Sequence, residues 1–197
     1  MIKKAVSLLI LITGLFFTAT VSAQEHGPFY AGFYMLYAIE NFDEQNTQDK
    51  FTAPVAIDLD DTYGVQLRGG CILNEYFSAE AMFEYLMPLD TDLKKGYTSE
   101  IDVMNFTLNA KATLPLKEQF VPYAIFGMGF MNTYEEIRGP SMKDKSDWGV
   151  GVRMGFGADV RLNPKISLGG EIAHIVGLGN VDHAQYTNIT VCAYYHF

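Results

Sequence analysis

Eight charged side chains are each flanked in the 197-residue chain by small, aliphatic or aromatic neighbours: Arg68, Lys111, Arg153 and Arg161 against Glu80, Glu84, Asp159 and Glu171. The even balance matters, because charges drawn into an enclosed space must pair or bear a heavy desolvation cost. Arginine pairs best, since its planar fork meets both oxygens of a carboxylate. Two chemistries follow from such a set. It forms a salt-bridged plug that fixes the shape of a narrow interior, or it lines a narrow, gateable path for ions. Spacing alone does not pair individual residues.

Other candidate chemistry is thinner. The stretch around 41–60 holds Asp43, Glu44, Asp49, Asp58, Asp60 and Asp61 against Lys50. Carboxylate clusters can hold a hard divalent cation, which would bridge to an anionic surface. The spacing matches no calcium-loop pattern, so a solvated acidic loop is expected and no metal site is assigned. Asp144 and Asp147 alternate with Lys143 and Lys145 as ordinary solvated charge. His183 is followed by Ala184, Gln185 and Tyr186, with no serine nearby to activate. No catalytic residue and no cofactor is expected.

The elements that must position these charges are strands. Side chains alternate faces with a period of two, and eight segments alternate. The first is 29–39. In the second, 63–73, Tyr63, Val65, Leu67, Cys71 and Leu73 oppose Gly64, Gln66, Arg68 and Gly70. In the third, 76–87, Phe77, Ala79, Ala81, Phe83, Tyr85 and Met87 oppose Ser78, Glu80, Met82 and Glu84. The fourth, 104–114, alternates strictly. The fifth, 121–134, is apolar on both faces, and its register is open. The sixth, 148–161, sets Trp148, Val150, Val152, Met154, Phe156, Ala158 and Val160 against Gly149, Gly151, Arg153, Gly155, Gly157, Asp159 and Arg161. The seventh, 165–176, carries Glu171, and its phase sends His174 outward. The eighth ends the sequence, with Ile189, Val191, Ala193, Tyr195 and Phe197 on one face. A last strand that stops on an apolar aromatic predicts the closing strand of a barrel.

Short connections follow strands two, four and six. Longer polar ones follow one, three, five and seven, at about 41–60, 88–100, 135–147 and 178–185. That asymmetry marks an outer-membrane barrel, with the short turns and both termini in the periplasm and the long loops outside. Residues 1–23 read as a cleaved secretory signal: Lys3 and Lys4, an apolar run, then Val21-Ser22-Ala23. The remaining 24–197 form one domain. Losing two lysines takes the net charge from -9 to -11, which excludes nucleic acid as a partner. Cys71 and Cys192 fall on opposite faces with one strand between them, too far apart for a disulfide.

Alternation alone does not choose a membrane barrel over a soluble one. The polar face of strand six does. Glycines around long charged side chains suit a crowded interior, and a continuous Trp, Val, Met and Phe face suits lipid. The expected fold is therefore all-β, an eight-stranded antiparallel up-and-down transmembrane β-barrel with a polar interior.

At this point Gly-Pro-Phe-Tyr-Ala-Gly (27–32), Pro122-Tyr123 leading into Gly127 and Gly129, and the terminal Tyr195-His196-Phe197 carry a resemblance. The chain resembles the OmpA/opacity-type family of small eight-stranded outer-membrane barrels over essentially all of its mature length. The resemblance implies that Ile189, Val191, Tyr195 and Phe197 form the signal read by the barrel-assembly machinery. It also implies outer-membrane lipid and lipopolysaccharide as surroundings. It leaves open whether the loops meet a host or matrix ligand. No peptidoglycan-binding domain is expected. The function expected is a non-enzymatic structural or surface-interaction role, with a narrow pore as the alternative and a lipid-modifying enzyme behind it.

Overall fold

Alternating segments rich in β-branched and aromatic residues become strands because each buries one face and presents the other to a different solvent. The computed structural model describes residues 27–40, 62–93, 97–114, 116, 119–138 and 143–197. It holds β1 (Phe29–Glu40), β2 (Thr62–Ile72), β3 (Phe77–Leu93), β4 (Tyr97–Thr113), β5 (Phe120–Arg138), β6 (Lys143–Asn163), β7 (Ile166–Gly179) and β8 (Gln185–His196). Each pairs antiparallel with its chain neighbour. β1 also pairs with β8, from Tyr30↔His196 to Glu40↔Tyr186, and the barrel closes. Closure leaves no strand edge in the apolar zone, the condition for crossing lipid with strands.

Two short turns use one device. The Asn74 side-chain oxygen accepts from the amides of Tyr76 and Phe77 at 2.8 and 2.9 Å. The Asn163 oxygen accepts from Lys165 and Ile166, each at 2.9 Å. Both are the local side-chain turns that asparagine favours.

Burial is inverted relative to a soluble protein. Phe33, Leu67, Phe83, Phe106 and Phe130 are successive cross-strand partners and are all exposed on the outer wall. Trp148 is outside as well. Along β4 and the residue after it, the outward apolar series runs from Met104 to Leu114. Ten steps at about 3.4 Å, tilted about 40°, rise roughly 25 Å, the height of the lipid-facing band. β5 now has a register: Val121, Tyr123, Ile125, Gly127, Met131 and Thr133 face inward, and Phe126, Met128 and Phe130 face out.

Two expectations are corrected. The connections expected at 88–100 and 135–147 are mostly strand. β3 pairs with β4 up to Leu93↔Tyr97, and β5 with β6 up to Ile137↔Lys143. The ladder is held by backbone bonds, so it continues where both faces turn polar and the apolar alternation that reveals it has stopped. The register breaks between Leu86 and Leu89, around Pro88, which has no amide to give. The acidic 41–60 segment and residues 1–23 lie outside the described residues. Cys71 and Cys192 are both free.

The interior is layered. At the end with the short turns it opens to solvent. The middle holds the charged side chains. At the far end it becomes apolar: Leu36, Leu86, Val103, Met131 and Ile175 pack together with Val181 and Ala184, which the β7–β8 connection folds back inside. Gly179, at φ 81°, starts that fold-back, a backbone state that glycine adopts without strain.

Candidate functional site

Arg68 on β2 reaches across the barrel to Glu171 on β7. The contact is bidentate, Nη1 to Oε2 at 2.8 Å and Nη2 to Oε1 at 2.9 Å. Arg153 on β6 donates to the same Oε1, and the Tyr123 hydroxyl donates to Oε2 at 3.0 Å. One carboxylate therefore holds two guanidiniums in a fully enclosed space. Alternation dictates this meeting: all three residues sit at inward phases of strands that the closed topology turns toward one axis.

The network continues in both directions. Gln66 accepts from Arg68 Nε at 3.1 Å and Nη2 at 2.6 Å, and its own amide donates to Glu84. Glu84 also accepts from the Tyr186 hydroxyl and from Asn188 at 2.9 Å. This buried carboxylate is thus held by three neutral donors. Toward the turn end, Arg68 lies 3.6 Å from Glu80, and Lys111 lies 3.6 Å from Glu80 and 2.8 Å from Asp159. Tyr30 donates to Glu80 at 2.6 Å. Two cations lie over rings, Arg68 at 3.8 Å from the Tyr34 centroid and Lys111 at 3.9 Å from that of Tyr123. Such contacts gain strength in a desolvated site.

Of the eight charges singled out from sequence, Arg68, Glu80, Glu84, Lys111, Arg153, Asp159 and Glu171 thus fall in one connected set. Arg161 does not. It has the inward phase, but it stands exposed at the mouth, because β6 is about to turn and the packed section has ended. Ile189, Val191, Tyr195 and Phe197 line the outer wall, and the last two rings meet edge-on at 5.2 Å. His174 is on the outer face too, with Nδ1 3.0 Å from the Thr187 hydroxyl and Nε2 3.1 Å from the Gln185 amide.

The tyrosines are what charge-based reading missed. Tyr30, Tyr34, Tyr123, Tyr186 and Tyr194 all point inward and are buried. Their parity with neighbouring glycines was the available signal. A Cβ on Gly32 would lie 2.6 Å from the Tyr194 ring, and one on Gly157 would lie 2.6 Å from that of Tyr123. The glycines of the polar face make room for aromatic rings as well as for charges.

A closed set of this kind can hold shape, and the apolar far layer lies beyond it. Several buried groups lack a hydrogen-bond partner, including Nε and Nη1 of Arg153 and both side-chain polar atoms of Asn105. These leave polar surface along the axis that water can solvate.

Comparison with known proteins agrees on architecture. The family model described as Outer membrane protein beta-barrel domain matches residues 8–197. Among curated proteins, none matches the sequence. Among solved structures, Neisserial surface protein A is 9% identical, with 88% of this chain and 100% of that one covered and a TM-score of 0.57. Ail, the attachment invasion locus protein of Yersinia pestis, solved with the heparin analogue sucrose octasulfate, is 11% identical, with 86% and 99% covered and a TM-score of 0.54. A major outer membrane protein from Thermus thermophilus is 11% identical, with 85% and 99% covered and a TM-score of 0.54.

Proposed function

Because the chain belongs to the outer membrane protein β-barrel domain family, we propose that it is a non-enzymatic outer-membrane scaffold that acts through what it displays at its far end. The short turns and both strand termini then face the periplasm, and the far-end connections face outward. One observation carries this reading: the interior is occupied from wall to wall. The Arg68–Glu171–Arg153 cluster spans the axis, and the apolar layer of Leu36, Leu86, Val103, Met131 and Ile175 lies beyond it. An ion crossing that layer would lose its hydration with no polar group to replace it.

The surroundings are outer-membrane lipid and lipopolysaccharide, and the outward face of β8 serves the barrel-assembly machinery. The partner at the surface is a host or matrix ligand. The segment around 41–60 carries six carboxylates and one lysine. It repels sulfated glycans and favours a cationic partner, or an anionic one bridged by divalent ions. A second reading, a narrow water or ion path, draws on the unpartnered polar groups of Arg153 and Asn105.

Planar-bilayer recording of the refolded barrel separates the two, with closure checked by its heat-modifiable gel shift. A closed scaffold gives no discrete steps, and deleting 41–60 abolishes cell or matrix binding with the barrel intact. Discrete openings altered in Arg68 or Glu84 variants would instead make it a pore. Unchanged binding after the deletion would remove the role of that segment.

A further inference from the structure

The turn end of the barrel opens into a cavity of about 230 Å³, floored by the Lys111–Asp159 pair. Three residues from adjacent strands line one wall. Arg161 on β6 and Ser167 on β7 are direct cross-strand partners. Ser167 Oγ lies 3.0 Å from Nε2 of His196 on β8. The His196 amide donates to the Lys165 carbonyl at 2.8 Å, which fixes this last residue of β8 against the start of β7.

Arg161 is the exception among the inward-phase cations. Arg68, Lys111 and Arg153 each have a carboxylate. Arg161 has none among the described residues, although Asp159 lies two positions away on the same face. Asp159 is held by Lys111 at 2.8 Å instead, and Glu75, the other carboxylate of the lining, makes no ion pair with Arg161. A guanidinium with free donors, beside a hydroxyl and an imidazole, at the rim of a cavity, is the donor set that takes an oxyanion: the fork binds two oxygens and the hydroxyl a third.

We propose that Arg161, Ser167 and His196 form a seat for a small oxyanion, a carboxylate or phosphate group, that enters from the turn end. Two sources offer that chemistry: the phosphate of a lipid in the leaflet around the turns, and a free anion in the aqueous compartment they face. The cavity admits a head group or a small acid, and excludes a folded partner. The seat does not depend on what the far end binds.

The test uses the refolded barrel in neutral detergent, titrated with inorganic phosphate and with acetate, reading the imidazole NMR signals of His26, His174, His183 and His196. A saturable shift confined to His196 is expected. Arg161→Gln weakens it about tenfold or more, the loss of a charged hydrogen-bond donor, and Ser167→Ala weakens it less. Both variants keep the heat-modifiable gel shift, since neither residue belongs to the buried network. The source is then read in nanodiscs. A His196 shift produced by phosphatidylglycerol but not phosphatidylcholine, and reversed by added phosphate, identifies a lipid head group. A shift that depends only on added anion identifies the free species. A linear drift shared by all four histidines, or an unaltered response in Arg161→Gln, overturns the proposal.

Discussion

Replacing Glu171 with glutamine removes one negative charge and leaves two guanidiniums facing each other in an enclosed space. The wild-type carboxylate accepts two bonds from Arg68, one from Arg153 and one from Tyr123. Glutamine keeps a single acceptor oxygen and turns an amide donor toward the other cation. Removing one partner of a buried pair costs roughly 3–5 kcal/mol. Here the carboxylate serves two cations, which argues for the top of that range, while Gln66 and Glu80 remain to receive Arg68, which argues against exceeding it. A loss of about 4 kcal/mol is therefore expected. Trp148, the one tryptophan, sits on the lipid-facing wall and reports unfolding from vesicles by fluorescence as urea is raised. Tyr123→Phe, which removes only one hydrogen bond to the same carboxylate, is the control at about 1 kcal/mol. A Glu171→Gln barrel within about 1 kcal/mol of wild type would refute the reasoning. It would mean that the two guanidiniums are hydrated and that water already occupies the axis.

Three further outcomes are expected. A Cβ at Gly129 would lie 2.7 Å from the Thr107 Cα, in backbone that cannot rotate away, whereas Gly69 has nothing within 4 Å; Gly129→Ala should cut the heat-modifiable fraction sharply and Gly69→Ala should leave it unchanged. Leu108→Lys, in the middle of the outer wall, should cost roughly 2–4 kcal/mol in vesicle unfolding, and Leu116→Lys, beside the β4–β5 turn, about 0–1 kcal/mol; equal costs would contradict the assigned membrane height. The folded protein should show no mobility difference between reduced and non-reduced gels. Cys71, on the outer wall, should react with an apolar maleimide in micelles well before the enclosed Cys192 does.

The strands were legible because a lipid-facing wall tolerates no polar side chain at its middle, so the period of two is enforced wherever the chain crosses. The same rule hid the upper parts of β3 to β6. Around Lys145 and Ser146 both faces meet water, and nothing in residue type distinguishes a paired strand from a loop. β5 was unreadable for a different reason. Its inward Val121, Ile125 and Met131 are apolar from the turn-end cavity to the far layer, so neither face was marked. The charged site was legible as a set, since each member is a lone charge between apolar neighbours. Its wiring was not. Which carboxylate Arg68 meets is fixed by the tilt and stagger of strands on opposite walls, a quantity with no local signature. Arg161 kept the phase of the others and was misplaced, because phase gives direction and not depth.

The closing seam has a consequence for the order of assembly. The Tyr34 hydroxyl bonds the Tyr194 hydroxyl across 160 residues of chain, while the other seven ladders join strands that follow one another. Those seven can zip as local hairpins at small entropic cost, but the β1–β8 ladder must gather the two most distant strands before it returns any bond. Until it does, β1 and β8 each present a bare edge, which in water is a template for pairing with the wrong chain. The tyrosine-lined seam is therefore the slow step of folding and the moment of greatest hazard. Substitutions at Tyr34 or Tyr194 should slow closure more than those at equally buried positions elsewhere in the wall.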